Sequence, residues 1–253
     1  MTSRPASGPA ALAGVLTLVV PAFLVAVVVV LAGAPDPAGA AGDPERGRRL
    51  YETGCTSCHG VEGRGSRLGP ALAGVGAAAA DFYLSTGRMP LDDPRAEAVR
   101  KPPAYSPAEI ADLTAYVASL GDGPPIPAVN PGAGDLALGG QLYTANCAAC
   151  HNSAGSGGAL GQAVFAPGLR QSTHLQIAEA IRIGPGAMPV FGSDTLDDHD
   201  VDSVLRYLLH LQQADDRGGA PLGRLGPVPE GLVAWVAGLG PMLLAAFWIG
   251  TRQ

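Results

Sequence analysis

All four cysteines of the chain fall in two pairs, Cys55 with Cys58 and Cys147 with Cys150. A histidine follows each pair at once, so Cys55-Thr56-Ser57-Cys58-His59 and Cys147-Ala148-Ala149-Cys150-His151 share one pattern. Two thiols three residues apart lie on one helical turn. From there both can reach the vinyl groups along one haem edge and form thioethers, with the next imidazole placed beneath the iron; C-x-x-C-H reads as a c-type haem attachment. A C-x-x-C pair alone would also suit a redox dithiol or half of a zinc site. No cysteine remains for a structural disulfide.

A haem iron has a sixth position, and each copy offers one ligand for it. Apart from the initiator, the methionines are Met89, Met188 and Met242, the last inside an apolar run. Met89 stands in Gly87-Arg88-Met89-Pro90, 30 residues after His59, and Met188 in Gly186-Ala187-Met188-Pro189, 37 residues after His151. A lone methionine is more often core filler, but two in matched Met-Pro settings point to axial thioethers. A thioether opposite imidazole favours ferrous iron and fills the site, which suits electron transfer and disfavours ligand binding or oxygen chemistry. His174 is the rival to Met188. Arg88 and Arg182 are candidate propionate donors, against the alternative of plain solvated charges. The expected set is therefore Cys55, Cys58, Cys147 and Cys150 for two covalent haems c, with His59, Met89, His151 and Met188 on the irons and no catalytic residue.

The elements that must position these groups repeat. Gly42-Asp43 recurs as Gly134-Asp135, Gly47 as Gly139, Leu50-Tyr51 as Leu142-Tyr143 and Cys55 as Cys147, every one 92 residues on. The pattern predicts helices over 44–53 and 136–146 leading into the cysteines, 79–85 and 175–183 ahead of the methionines, and closing helices over 107–120 and 198–212. Ser106-Pro107-Ala108-Glu109 has the form of a capping box with proline at the first helical position. The expected class is all-α, with two tandem cytochrome c domains over 42–122 and 132–214 joined by a Pro-rich stretch.

Two uncharged apolar runs flank the repeat. After a tail over 1–9, residues 10–34 are long enough to span a bilayer, although Ala38-Gly39-Ala40 also offers a signal cleavage site. A linker over 215–229 precedes a C-terminal transmembrane segment over 230–250, whose uncharged run, 231–250, has Trp235 and Trp248 towards its ends as in an interfacial belt. The expectation is a membrane protein with N- and C-terminal transmembrane helices. A net charge of −6, with 15% charged residues, speaks against a nucleic-acid partner. With 36 Gly, 23 Pro and only 5% aromatics, the composition suits loop-rich small domains whose interiors a haem fills.

This layout resembles the di-haem cytochrome cc subunit of the actinobacterial cytochrome bc complex, a quinol–cytochrome c reductase. The string Asp81-Phe82-Tyr83-Leu84-Ser85-Thr86-Gly87-Arg88-Met89-Pro90 looks like that family's first methionine loop, and Arg100-Lys101-Pro102-Pro103 like the segment after it. Ile181-Arg182-Ile183-Gly184 is similar to the commoner cytochrome c pattern. The resemblance implies an electron-transfer subunit without substrate chemistry of its own. It would relay electrons from a Rieske iron–sulfur protein, beside cytochrome b, through two c haems to the copper-centre subunit of an aa3-type oxidase. It further implies a plasma-membrane location with two spans and the haem domains on the outer side. The alternative is a di-haem subunit of a terminal oxidase or membrane dehydrogenase.

Overall fold

Asp43 and Asp135 each start a helix by capping it. The Asp43 carboxylate accepts the Glu45 and Arg46 amides at 2.9 and 3.3 Å, and that of Asp135 accepts the Leu138 amide at 2.7 Å. The helices so begun are α1 (Pro44–Gly54) and α5 (Leu136–Asn146) in a computed structural model that describes residues 42–161, 164–213 and 227–252. Each leads into a single turn, α2 (Thr56–His59) or α6 (Ala148–His151). Then come α3 (Gly76–Ser85) and α4 (Pro107–Ser119) in the first copy, α7 (His174–Ile183) and α8 (Asp198–Gln212) in the second.

Within each copy the first and last helices cross at a glycine. A Cβ on Gly47 would lie 2.0 Å from the Asp112 carbonyl oxygen, and one on Gly139 would lie 1.9 Å from that of Ser203. Only a residue without a side chain permits backbones this close. Beside each crossing two tyrosines tilt together, Tyr51 with Tyr116 at 5.1 Å and Tyr143 with Tyr207 at 5.5 Å between centroids. Around Tyr143 the buried cluster includes Ile177, Ile181, Val204, Leu205 and Leu208; around Tyr51 it holds only Leu113 and Tyr116.

The six helices expected within the two copies all form, with small shifts at their ends. The Ser106–Glu109 capping box is present in full. α7 begins at His174 rather than 175 because Thr173 and Gln176 make a second capping box. α3 begins at Gly76 rather than 79, extended through Ala77–Ala80, the strongest helix-forming residue type. The all-α expectation needs one correction: β1 (Gly158–Gly161) pairs antiparallel with β2 (Val164–Ala166) in the second copy, Ala159 opposite Phe165. The fold is mostly helical all the same.

The copies meet along α3 and α7. Gln176 donates its amide to Ser85 Oγ at 3.3 Å, and Arg100 Nη2 donates to Ser172 Oγ and Gln176 Oε1 at 3.1 and 2.7 Å.

The last helix described, α9 (Pro227–Gly250), carries Pro241 inside it. Its segment Val228–Gly250 is long and apolar enough to cross a membrane, with none of its most apolar stretch buried by the protein. Arg252 lies over the Trp248 ring at 4.1 Å, a cation beside an aromatic at the end of the apolar stretch. The expected N-terminal span over 10–34 lies outside the described residues.

Candidate haem sites

The two C-x-x-C-H turns are built alike. Cys55 and Cys147 end the preceding helix by donating their amides to Tyr51 and Tyr143, each at 2.8 Å. The histidine amide then closes the turn on the first cysteine carbonyl, His59 on Cys55 and His151 on Cys147, each at 2.9 Å. Both thiols of each pair thus lie on one turn, and all four cysteines are free. A tyrosine locks the next residue from beneath: Tyr51 donates its hydroxyl to the Gly60 carbonyl at 2.7 Å, and Tyr143 to that of Asn152 at 2.6 Å.

Each imidazole has one nitrogen engaged. His59 Nδ1 lies 2.9 Å from the Pro70 carbonyl oxygen, and His151 Nδ1 the same distance from that of Pro167. A carbonyl only accepts, so Nδ1 carries the proton and Nε2 keeps a lone pair free for a metal. Sequence reasoning missed these two prolines. The signal was available, since Pro70-Ala71-Leu72 and Pro167-Gly168-Leu169 repeat one Pro-x-Leu pattern.

The methionine loops leave the C-terminal ends of α3 and α7. Met89 donates its amide to the Tyr83 carbonyl at 3.0 Å, and Met188 to that of Pro185 at 3.1 Å; both side chains are half-buried. Met188 packs on the second core. The first loop is clamped by Lys101, whose amide donates to the Thr86 carbonyl at 3.2 Å and whose ammonium donates to that of Pro90 at 2.8 Å. The sequence had marked Lys101 only as part of a resemblance. His174 is the first residue of α7, a full helix away from the Met188 loop.

The two candidate propionate donors part company. Arg182 is consumed by the protein, donating to the Phe191 and Leu196 carbonyls at 3.1 and 2.6 Å and to Asp198 at 2.7 Å. Arg88 stacks 4.8 Å over the Phe82 ring, and its Nη1 is buried with no partner. Burial holds the Arg88 pKa below its usual range, and the neighbouring Arg100 charge lowers it further. An orphaned guanidinium nitrogen of this kind calls for an anion.

The thiols argue against the other chemistries. Burial, and then the neighbouring thiol, pushes Cys55 and Cys147 up to about 11. Both are therefore protonated at neutral pH, unlike an activated redox dithiol. Among the described residues, the grouping of three possible metal ligands is Asp197, His199 and Asp200, away from both turns. Two reachable thiols, a free Nε2 and a downstream methionine fit a haem c in each copy, and the orphaned Arg88 adds a fitting feature to the first.

Fold and motif together define a c-type cytochrome with two tandem domains. The family model described as Cytochrome c matches residues 44–121, and that described as Cytochrome C oxidase, cbb3-type, subunit III matches residues 134–208. The chain is 39% identical over 216 residues to the Cytochrome bc1 complex cytochrome c subunit of Mycobacterium tuberculosis, covering 82% of this chain and 77% of that one. It is 36% identical over 227 residues to the subunit of the same name from Corynebacterium diphtheriae, with 83% and 81% covered. The chain belongs to this family of cytochrome bc1 complex cytochrome c subunits. A lesser likeness, 31% over 187 residues, joins it to the Cbb3-type cytochrome c oxidase subunit CcoP of Azospirillum sp., covering 65% of this chain and 61% of that one.

Proposed function

We propose that the chain is the electron-transfer subunit of a respiratory quinol–cytochrome c reductase, taking electrons from a Rieske iron–sulfur protein and delivering them to the copper-centre subunit of an aa3-type oxidase. Cys55, Cys58, His59 and Met89 would hold one haem c; Cys147, Cys150, His151 and Met188 would hold the other. Each haem supplies a one-electron iron couple when bound. The protein's part is to fix the ligands. Pro70 and Pro167 orient the imidazoles, Lys101 holds the Met89 loop, and Arg88 would meet a propionate. With a methionine available for each sixth position, no substrate chemistry at the iron is assigned to this chain, which acts within the reductase as its cytochrome subunit beside cytochrome b.

The domain limits 42–122 and 132–214, a second span over 10–34, and an outer-face position for both haem domains belong to the same proposal. What supports it most is the coincidence of two equivalent C-x-x-C-H sites with 39% identity to cytochrome bc1 complex subunits over 77% of their length. The second reading is a di-haem subunit of an oxidase, favoured by the cbb3-type model on residues 134–208. Purification in mild detergent separates them. Co-purification of b haems and a Rieske protein is expected; oxidase or dehydrogenase subunits without these would contradict the proposal.

A further inference from the structure

Glu179 is the one charged-type residue among the described residues with no exposed surface at all, and neither of its carboxyl oxygens has a hydrogen-bond partner. It stands on α7 at the join between the copies, and the group facing it is the Asp81 carboxyl of α3. Two ionised carboxylates are both acceptors and repel, so this arrangement lacks a donor. Of the cations on the neighbouring segments, Arg88 lies over the Phe82 ring, and Arg100 and Arg182 are bonded to other groups. Arg100, on the segment before α4, is bonded to Ser172 and Gln176; Arg182, on α7 itself, is bonded to Asp198, the charged group that α8 brings to it.

We infer that Glu179 and Asp81 form a proton-binding site across the domain join, one proton shared between two carboxyl groups while the haem domains are closed on each other. The shared proton supplies the missing donor and removes one of the two charges. A metal ion in its place would need several more oxygen ligands than the pair provides. Burial, and then the Asp81 charge, pushes the Glu179 carboxyl up to about 9. The closed arrangement thus binds a proton that the separated domains release near neutral pH. Closure is favoured fully below the ordinary carboxylate value of 4.5 and loses this contribution as pH rises through about 9.

Infrared difference spectra of the haem-loaded full chain, wild type against Glu179→Gln, test the inference. At neutral pH the wild type should show a protonated carboxyl band that the variant lacks, and the band should fade towards alkaline pH. Asp81→Asn replaces the facing acceptor with an amide that can donate to an ionised Glu179. It should move the fading to lower pH by at least about one unit. An ionised Glu179 at neutral pH, seen as a carboxylate band lost in Glu179→Gln, overturns the inference, whether water or a cation balances the charge. If Glu179→Gln does not accumulate with both haems, Asp81→Asn carries the test, and an unchanged titration overturns it.

Discussion

The two copies differ least at the C-x-x-C-H turn and most around it. The glycine crossing and the tyrosine beneath the turn occur in both at matching positions, and a proline carbonyl meets histidine Nδ1 in both, 11 residues on in the first copy and 16 in the second. Beyond them, the first copy anchors α1 to α4 by charge. The buried Asp112 accepts from Arg46 Nε and Nη2 at 2.8 and 3.0 Å and from the Asp43 amide at 2.7 Å. In the second copy Ser203 Oγ accepts from the Asp135 amide at 2.9 Å, and Leu138 stands where Arg46 would be. The residue after the histidine also differs, Gly60 at φ 73° against Asn152 at φ 68°. What the ligand geometry demands is thus duplicated, while the means of holding helices together is free to vary.

This contrast can be broken at several points. The largest effect is expected at the methionines. Met89→Ala and Met188→Ala should each lower one haem potential by roughly 0.1–0.3 V, a fraction of the range axial ligands command, and leave the other potential nearly still. Redox titration with optical detection checks this, and a shift in both or in neither would break the one-ligand-per-copy assignment.

Next come the crossings. Gly47→Ala and Gly139→Ala each force a methyl into a backbone carbonyl. Each should destabilise its own copy by about 3 kcal/mol in denaturant unfolding. Similar losses in the two copies would sharpen the claim that this contact is shared.

The anchors should behave differently. Asp112→Ala should cost about 2 kcal/mol, because it removes a charge-assisted pair and leaves the Asp43 amide unpaired; Ser203→Ala should cost about 1 kcal/mol. Hydrogen bonds from Arg46 hold the Asp112 carboxyl below its ordinary value of 3.8. Its contribution is therefore present above that value and lost as pH falls through the folded-state pKa. Acid unfolding followed at each haem should show the first copy losing this contribution and the second lacking it.

The smallest effect is expected at Asn152. Its φ of 68° with ψ of 154° lies in a region that essentially only glycine occupies without strain. Asn152→Gly should stabilise the second copy by about 1 kcal/mol, whereas Gly60→Asn should weaken the first.

Most of the site was legible because its chemistry is local. The C-x-x-C-H turns need only one helical turn, and the caps at Ser106 and the glycine at Gly47 leave short-range or repeated marks. The β1–β2 hairpin was not legible, since Gly158–Gly161 has neither β-branched residues nor alternation. It lies between His151 and Pro167, and so accounts for most of the longer spacing to Met188. The fates of Arg88 and Arg182 could not be told apart either. One is buried over Phe82 without a partner and the other is bonded to carbonyls nine and fourteen residues on, a difference that exists only once the loops are folded. Glu179 carries no mark in the sequence, and its burial exists only once α7 is packed in the fold.

The central claim is one covalent haem c in each copy. It is tested most directly by the intact mass and haem content of the full chain purified from membranes. Two haems are expected on the wild type, and one each on the Cys55→Ala/Cys58→Ala and Cys147→Ala/Cys150→Ala variants. A wild-type chain carrying one covalent haem or none would contradict it.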